Sequence, residues 1–273
     1  MIRFIGIIML SMALVGGSYA QKNGIKLQIG YGVPLAGQTV GDKTVYDYNG
    51  TTTSSVRSFN KGSFGSGTQL ELGYTRTISG LLTLQLDAAY LIGKSYDTYQ
   101  YDDIQSGTHN PSSVSNRASF FQISPQIRAK FGDGKFSPYA SVGPVIGFGK
   151  MYEKGDYGDY DSTPYSYERT YSGSAAVGTK ATLGLEMTMG KLGYFAQITV
   201  INMSYAPTKA VYTKYISGGQ DQLASMTTSQ KEISFVDSYD QYATTDPNQP
   251  TKQLKDYKPF SSMSLSFGVI YRF

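Results

Sequence analysis

From Gly24 onward the chain trades apolar for small or polar residues with a period of two, in eight separate segments, which prescribes strands. In the first, Ile25, Leu27, Ile29, Tyr31, Val33 and Leu35 share one face, and Lys26, Gln28, Gly30 and Gly32 the other. The second, Phe64 to Ile78, sets Leu70, Leu72 and Tyr74 against Gln69, Glu71 and Gly73. The third, Leu81 to Ile92, sets Leu82, Leu84, Leu86 and Tyr90 against Thr83, Gln85 and Asp87. In the fourth, Phe121 to Phe131, Ile123 and Ile127 oppose Gln122, Gln126 and Arg128. The fifth runs from Phe136 to about 150, the sixth from about 173 to 189, the seventh from Leu192 to about 206, and the eighth from Phe260 to Phe273. The seventh changes phase where Ile201, Met203 and Tyr205 follow Tyr194, Ala196, Ile198 and Val200, which predicts a bulge near Ile201.

Short and long connections alternate strictly. Ser79-Gly80, Gly132 to Lys135 and Gly190-Lys191 are tight, whereas 37–63, 93–115, 151–172 and 207–258 are far longer than hairpin loops. In an up-and-down barrel this collects every tight turn at one end and every long loop at the other, as in outer-membrane barrels. A soluble sandwich or lipocalin-like barrel shares the alternation. Strand length, a small-polar face rich in Gly, Ser, Thr and Gln, and aromatic residues at the segment ends favour the membrane barrel. The expected fold is therefore all-β: an eight-stranded antiparallel up-and-down transmembrane β-barrel, with short periplasmic turns and four long extracellular loops.

Residues 1–20 carry Arg3, an apolar run from Phe4 to Val15, and small residues at Ser18 and Ala20, the layout of a signal peptide cleaved after Ala20. The chain is thus expected to be exported and to form one barrel domain, 21–273, in the cell outer membrane. With no cysteine, disulfides, thiolate metal sites and thiol catalysis are excluded. A net charge of +4, scattered along the chain, is no nucleic-acid footprint.

An eight-stranded barrel has room inside for little besides side chains. The phase sends Glu71, Asp87, Arg128, Lys180 and Glu186 inward, where charges must pair. Setting Ile78 opposite Leu82 places Glu71 opposite Ala89 and diagonal to Asp87, so a cation is expected between the two carboxylates: Arg128, or failing that Lys180. Read instead as an acid/base pair, they would lack substrate access, and a filled lumen equally disfavours an open pore.

The third loop, Met151 to Tyr171, offers Tyr157, Tyr160, Tyr165 and Tyr167 among Asp, Ser and Gly, a composition used in binding loops for glycans or proteins. The simpler reading is that the strands project above the membrane and carry tyrosine at the wet interface. Asp156, Asp159 and Asp161 lack the spacing of a calcium loop, so neither metal nor cofactor is expected. His109 is the sole histidine; with Asp102, Asp103 or Ser112 it is a second catalytic constellation to weigh, and no catalytic residue is assigned. In the fourth loop, Ile233 to Val236 could add a hairpin.

Three stretches carry a family resemblance: Leu84-Gln-Leu-Asp-Ala-Ala-Tyr90, Phe121-Gln-Ile-Ser-Pro-Gln-Ile-Arg-Ala-Lys-Phe131, and Ser137-Pro-Tyr-Ala-Ser-Val-Gly-Pro144 after a Gly-Asp-Gly-Lys turn. They resemble the small outer-membrane β-barrel family of Bacteroidota that includes PorT-like proteins. The resemblance implies the eight-stranded barrel; PorT-like members serve a secretion system, which makes a secretion subunit or assembly factor the alternative to a non-enzymatic scaffold or surface-binding protein. The closing Tyr271-Arg-Phe273 resembles the signal read by the barrel assembly machinery, an expected partner along with outer-membrane lipid and a surface ligand or protein at the loops.

Overall fold

The computed structural model describes residues 23–273 apart from 36, 49–51, 106–107, 133, 159–162, 241–243 and 245. The expected signal peptide lies outside the described residues.

Eight strands form the barrel: β1 (Asn23–Pro34), β2 (Gly67–Thr77), β3 (Leu82–Gly93), β4 (Thr108–Lys130), β5 (Phe136–Tyr157), β6 (Ala175–Met189), β7 (Leu192–Tyr205) and β8 (Ser262–Arg272). Each pairs antiparallel with its chain neighbour, and β8 closes the ring on β1, with Ile29 opposite Phe267. The tight connections 78–81, 131–135 and 190–191 gather at one end, where Gly190 (φ 61°) takes a left-handed conformation that favours glycine. The register at the first turn is as the phase requires: the Ile78 amide donates to the Leu82 carbonyl at 2.8 Å, and Glu71 faces Ala89.

Burial is inverted relative to a water-soluble protein. Leu27 is 58% exposed and Leu183 69%, whereas Lys26 is 1% and Lys180 3% exposed. Exposed apolar surface on this scale needs a lipid solvent, and the chain is a transmembrane β-barrel. On β5 the outward series runs Phe136, Pro138, Ala140, Val142, Pro144, Ile146, Phe148 and then turns polar at Lys150; Phe148 pairs with Phe121 of β4, after which β4 also turns polar at Ser119. Phe136 and Phe148 bracket a band about 25–30 Å tall for tilted strands.

Two expectations are corrected. The four long connections are largely not loops: β4 and β5 run on to 23 and 22 residues, and the segments Thr39–Tyr48, Thr53–Lys61, Tyr96–Gln105, Tyr165–Ser172 and Lys209–Ser217 extend the same sheet above the lipid band. These segments read as loops because their outward residues, such as Arg117, Lys154 and Glu168, meet water, so polar follows polar and the apolar alternation disappears. The bulge expected near Ile201 is absent. The pairing of β7 with β6 passes without a break from Val200–Ala181 to Ile201–Lys180. Ile201, Met203 and Tyr205 are inward and apolar because this end of the lumen has an oily filling. Ile233 to Val236 do form a strand (Glu232–Val236), paired antiparallel with the preceding Lys209–Ser217 and parallel with Thr251–Leu254.

Candidate binding surface above a filled lumen

The lumen is filled in layers. Nearest the turns, Glu186 accepts from Arg128 Nη2 at 2.6 Å, from Thr188 Oγ1 at 3.0 Å and from Arg272, with Lys130 Nζ at 3.6 Å. The Arg128 guanidinium lies 3.6 Å above the centre of the Tyr139 ring, whose hydroxyl donates to Gln197 at 2.7 Å. Further in, two lysines and two carboxylates alternate around a closed ring. Lys26 Nζ lies 2.7 Å from Glu71 and 2.9 Å from Asp87; Lys180 Nζ lies 2.6 Å from Glu71 and 3.2 Å from Asp87. Gln85 and Gln126 also donate to Asp87, at 2.7 and 2.6 Å. Gly73 makes the space: a β-carbon there would sit 2.4 Å from Asp87 Oδ1.

All five inward charges expected from the phase are thus in the lumen, in two separate clusters. Arg128 does not sit between Glu71 and Asp87: it lies a layer nearer the turns, beside Glu186. Lys180 does sit there, and so does Lys26, from the lumen face of β1.

Above this polar layer an aromatic plug crosses the lumen. Phe120 of β4 packs on Phe260 (ring centres 4.6 Å apart) and edge-on to Tyr205 (4.9 Å), with Phe64, Leu91, Val145, Ile201 and Met203 buried around them. Phe64 and Phe260 come from the connections before β2 and β8, tied together by the Phe64 amide on the Pro259 carbonyl at 2.9 Å.

Beyond the plug the lumen face of the extended sheet becomes a tyrosine surface. Residues 151, 153, 155 and 157 of β5 stay in lumen phase, opposite Tyr171, Arg169, Tyr167 and Tyr165. Two register shifts add more. One at Thr98 keeps Tyr96, Tyr99 and Tyr101 opposite the inward residues Asn116, Val114 and Ser112; one at Thr213 keeps both Tyr212 and Tyr215 opposite Arg169 and Tyr167. Tyr157 and Tyr165 stack at 4.6 Å with planes 7° apart, and Tyr99 extends the stack at 6.1 Å.

At its floor, Glu153 accepts from Tyr167 at 3.1 Å, Tyr171 at 2.8 Å and Arg169 Nε at 3.0 Å, and Arg169 sits within 5.7 Å of the Tyr167, Tyr171 and Tyr212 rings. Burial and the Glu153 charge push the Tyr167 and Tyr171 phenols well above the usual tyrosine value. Gly155 faces Tyr167, and a β-carbon there would come 2.3 Å from the ring. A cavity of about 320 Å³ lies between plug and surface, lined by Phe64, Asn116, Met151, Glu153, Tyr171 and Lys258.

Of the four loop tyrosines expected to bind, Tyr157 and Tyr165 present the stack, Tyr167 is turned inward onto Glu153, and Tyr160 lies outside the described residues. Tyr99, Tyr101, Tyr212 and Tyr215 join the surface unforeseen; the spacings Tyr-x-x-Tyr-x-Tyr and Tyr-x-x-Tyr are the signal, legible only once a bulge is assumed. His109 pairs in register with Ile104, and its side chain lies outside the described residues, as do Asp159 and Asp161. Among the described residues no cluster of His, Asp or Glu could hold a metal. Tyr271 is exposed on the lipid side, its ring stacked on Phe273 at 6.4 Å, and the Phe273 amide donates to Asn23 at 2.9 Å.

No protein-family model matches the chain, and no curated protein matches it. Among solved structures it is similar to the outer membrane protease OmpT of Escherichia coli, at 9% identity and a TM-score of 0.27 over 92% of this chain and 97% of that one. It is also similar to a Pseudomonas aeruginosa FadL homologue, at 8% identity and a TM-score of 0.20 over 92% and 90% of the two chains. At these scores the likenesses transfer neither protease activity nor a ligand; the barrel stands on its own closed pairing.

Proposed function

We propose that this is a non-enzymatic outer-membrane barrel whose tight turns face the periplasm and whose extended sheet faces the outside, where it binds a surface ligand through its tyrosine face. The observation that carries this reading is the tyrosine row mounted on the lumen side of the sheet, above a lumen filled by ion-paired and aromatic side chains. Tyrosine supplies broad amphipathic contact at low entropic cost, and rigid strands rather than loops hold it in place. The filled lumen supports a scaffold over a diffusion pore. Targeting by residues 1–20 and delivery of the Tyr271/Phe273 strand to the assembly machinery belong to the same proposal, as does kinship with the Bacteroidota barrels.

The test is to probe glycan and peptide arrays with the detergent-solubilised barrel and with Tyr157→Ala/Tyr165→Ala. A saturable ligand of the wild type that the variant loses supports the reading. Absence of any such ligand, combined with stoichiometric co-purification of secretion components, would replace it with the PorT-like secretion role.

A further inference from the structure

At the turn end the barrel opens into a blind cavity of about 910 Å³, unrelated to the tyrosine surface. Its rim is made by the turns, including Ser79, Gly80, Gly134 and Lys191, and its inner wall by Arg128, Glu186, Ile270 and Arg272. Tyr139, Phe195 and Ile270 form a small buried cluster at its inner end. Cations dominate the lining: among the described residues, Arg128, Lys130, Lys191 and Arg272 face a single acidic side chain, Glu186. That carboxylate is already engaged by Arg128 at 2.6 Å, by Arg272 and by Lys130 at 3.6 Å, and cannot neutralise three cations at once. A carboxylate on Phe273, which also lines the cavity, would still leave the described lining residues with an excess of two positive charges. Arg272 Nη1 is buried there without a hydrogen-bond partner.

Positive charge held in a low-dielectric recess focuses its field on whatever enters. Thr75, Thr77, Thr83 and Thr188 add hydroxyls around the same space. The volume matches that of small-molecule sites.

We propose that this recess is a binding site for a small polyanion bearing two or more phosphate or carboxylate groups, entering from the turn side. Lys130 and Lys191 would meet the ligand first, and Arg128 and Arg272 would hold its inner group by charge-assisted hydrogen bonds. The same chemistry is offered by a diffusible polyanion and by the phosphate of an anionic lipid headgroup, and the test separates the two.

The full barrel, folded in nanodiscs of neutral phosphatidylcholine, is titrated calorimetrically with inorganic pyrophosphate and with tricarballylate at low ionic strength. Saturable one-to-one binding of at least one probe is expected, weakened tenfold or more in Lys130→Gln/Lys191→Gln. Both lysines are clear of the Lys26/Lys180 ring, and heat-modifiable gel migration verifies that the variant is folded. Loss of pyrophosphate binding in discs containing phosphatidylglycerol assigns the site to lipid headgroups; unchanged binding assigns it to a diffusible ligand. No saturable binding of either probe, or equal affinity in the double variant, overturns the proposal. The tyrosine-face reading is untouched by either result, because its array test uses the opposite end of the barrel.

Discussion

Replacing Lys180 by Met tests how the lumen is held. Lys180 bridges Glu71 and Asp87, and all three, with Lys26, are buried to within a few per cent of complete. The substitution keeps the volume and removes one of two cations, so two carboxylates share Lys26 and one negative charge is left uncompensated in the barrel. Breaking a buried ion pair in this way costs about 3–5 kcal/mol. With a urea dependence of about 2 kcal/mol per molar, the unfolding midpoint should fall by roughly 1.5–2.5 M. Adding Glu71→Gln restores neutrality, leaves Lys26 to pair with Asp87, and should recover most of the loss, since the double variant lacks the excess charge rather than the contacts. The assay is urea unfolding of barrels folded in phospholipid vesicles, read by heat-modifiable migration and far-ultraviolet circular dichroism. A shift under about 0.5 M, or no recovery with Glu71→Gln, would refute the closed ring as the main stabilising feature of the lumen.

Two further outcomes follow from the outer sheet. Gly155→Ala drives a methyl into the Tyr167 ring, and overpacking of this kind costs about 1–3 kcal/mol; faster proteolytic nicking of the 151–172 hairpin, with the barrel core still heat-modifiable, is the expected sign. Tyr167 and Tyr171 hold their protons to a higher pH in the folded protein than unfolded tyrosine does. Their contribution to stability is therefore complete below about pH 10 and is lost as the pH climbs from there through the folded values. Absorbance titration at the tyrosinate band should show a late-ionising class that Glu153→Gln moves to lower pH; ionisation of all tyrosines as one early class would contradict the Glu153 floor.

How much of this was legible in the chain depended on which solvent each face meets. In the lipid band one face is greasy and the other polar, so Leu70/Glu71 and Ile127/Arg128 announce strand, phase and register together. Above the band both faces are polar, and Ser113 to Arg117 or Tyr152 to Asp156 look like loop although they continue β4 and β5. The phase change at Ile201 misled for the complementary reason: inside the plug an inward residue is apolar, so polarity stops reporting direction. The lumen charges were readable one by one from their phase. Their partners were not: Lys180 of β6 meets Glu71 and Asp87 of β2 and β3 across the barrel, at a separation that closure of β1 on β8 determines, while Lys26 of β1 reaches Glu71 diagonally on the adjacent strand β2. The tyrosine surface was half visible, since a bulge at Thr98 or Thr213 leaves no composition signature of its own.

The inside-out arrangement can be read at adjacent residues, and the absence of native cysteine makes the experiment clean. Nitroxide labels placed singly at Leu27→Cys, Leu72→Cys and Leu265→Cys, on exposed positions of β1, β2 and β8, should relax strongly with oxygen and hardly at all with an aqueous nickel chelate in vesicles. A cysteine one residue away at Gln28 should resist labelling while the barrel is folded. Nickel-accessible, water-like spectra at the three leucine positions would contradict the account at its root.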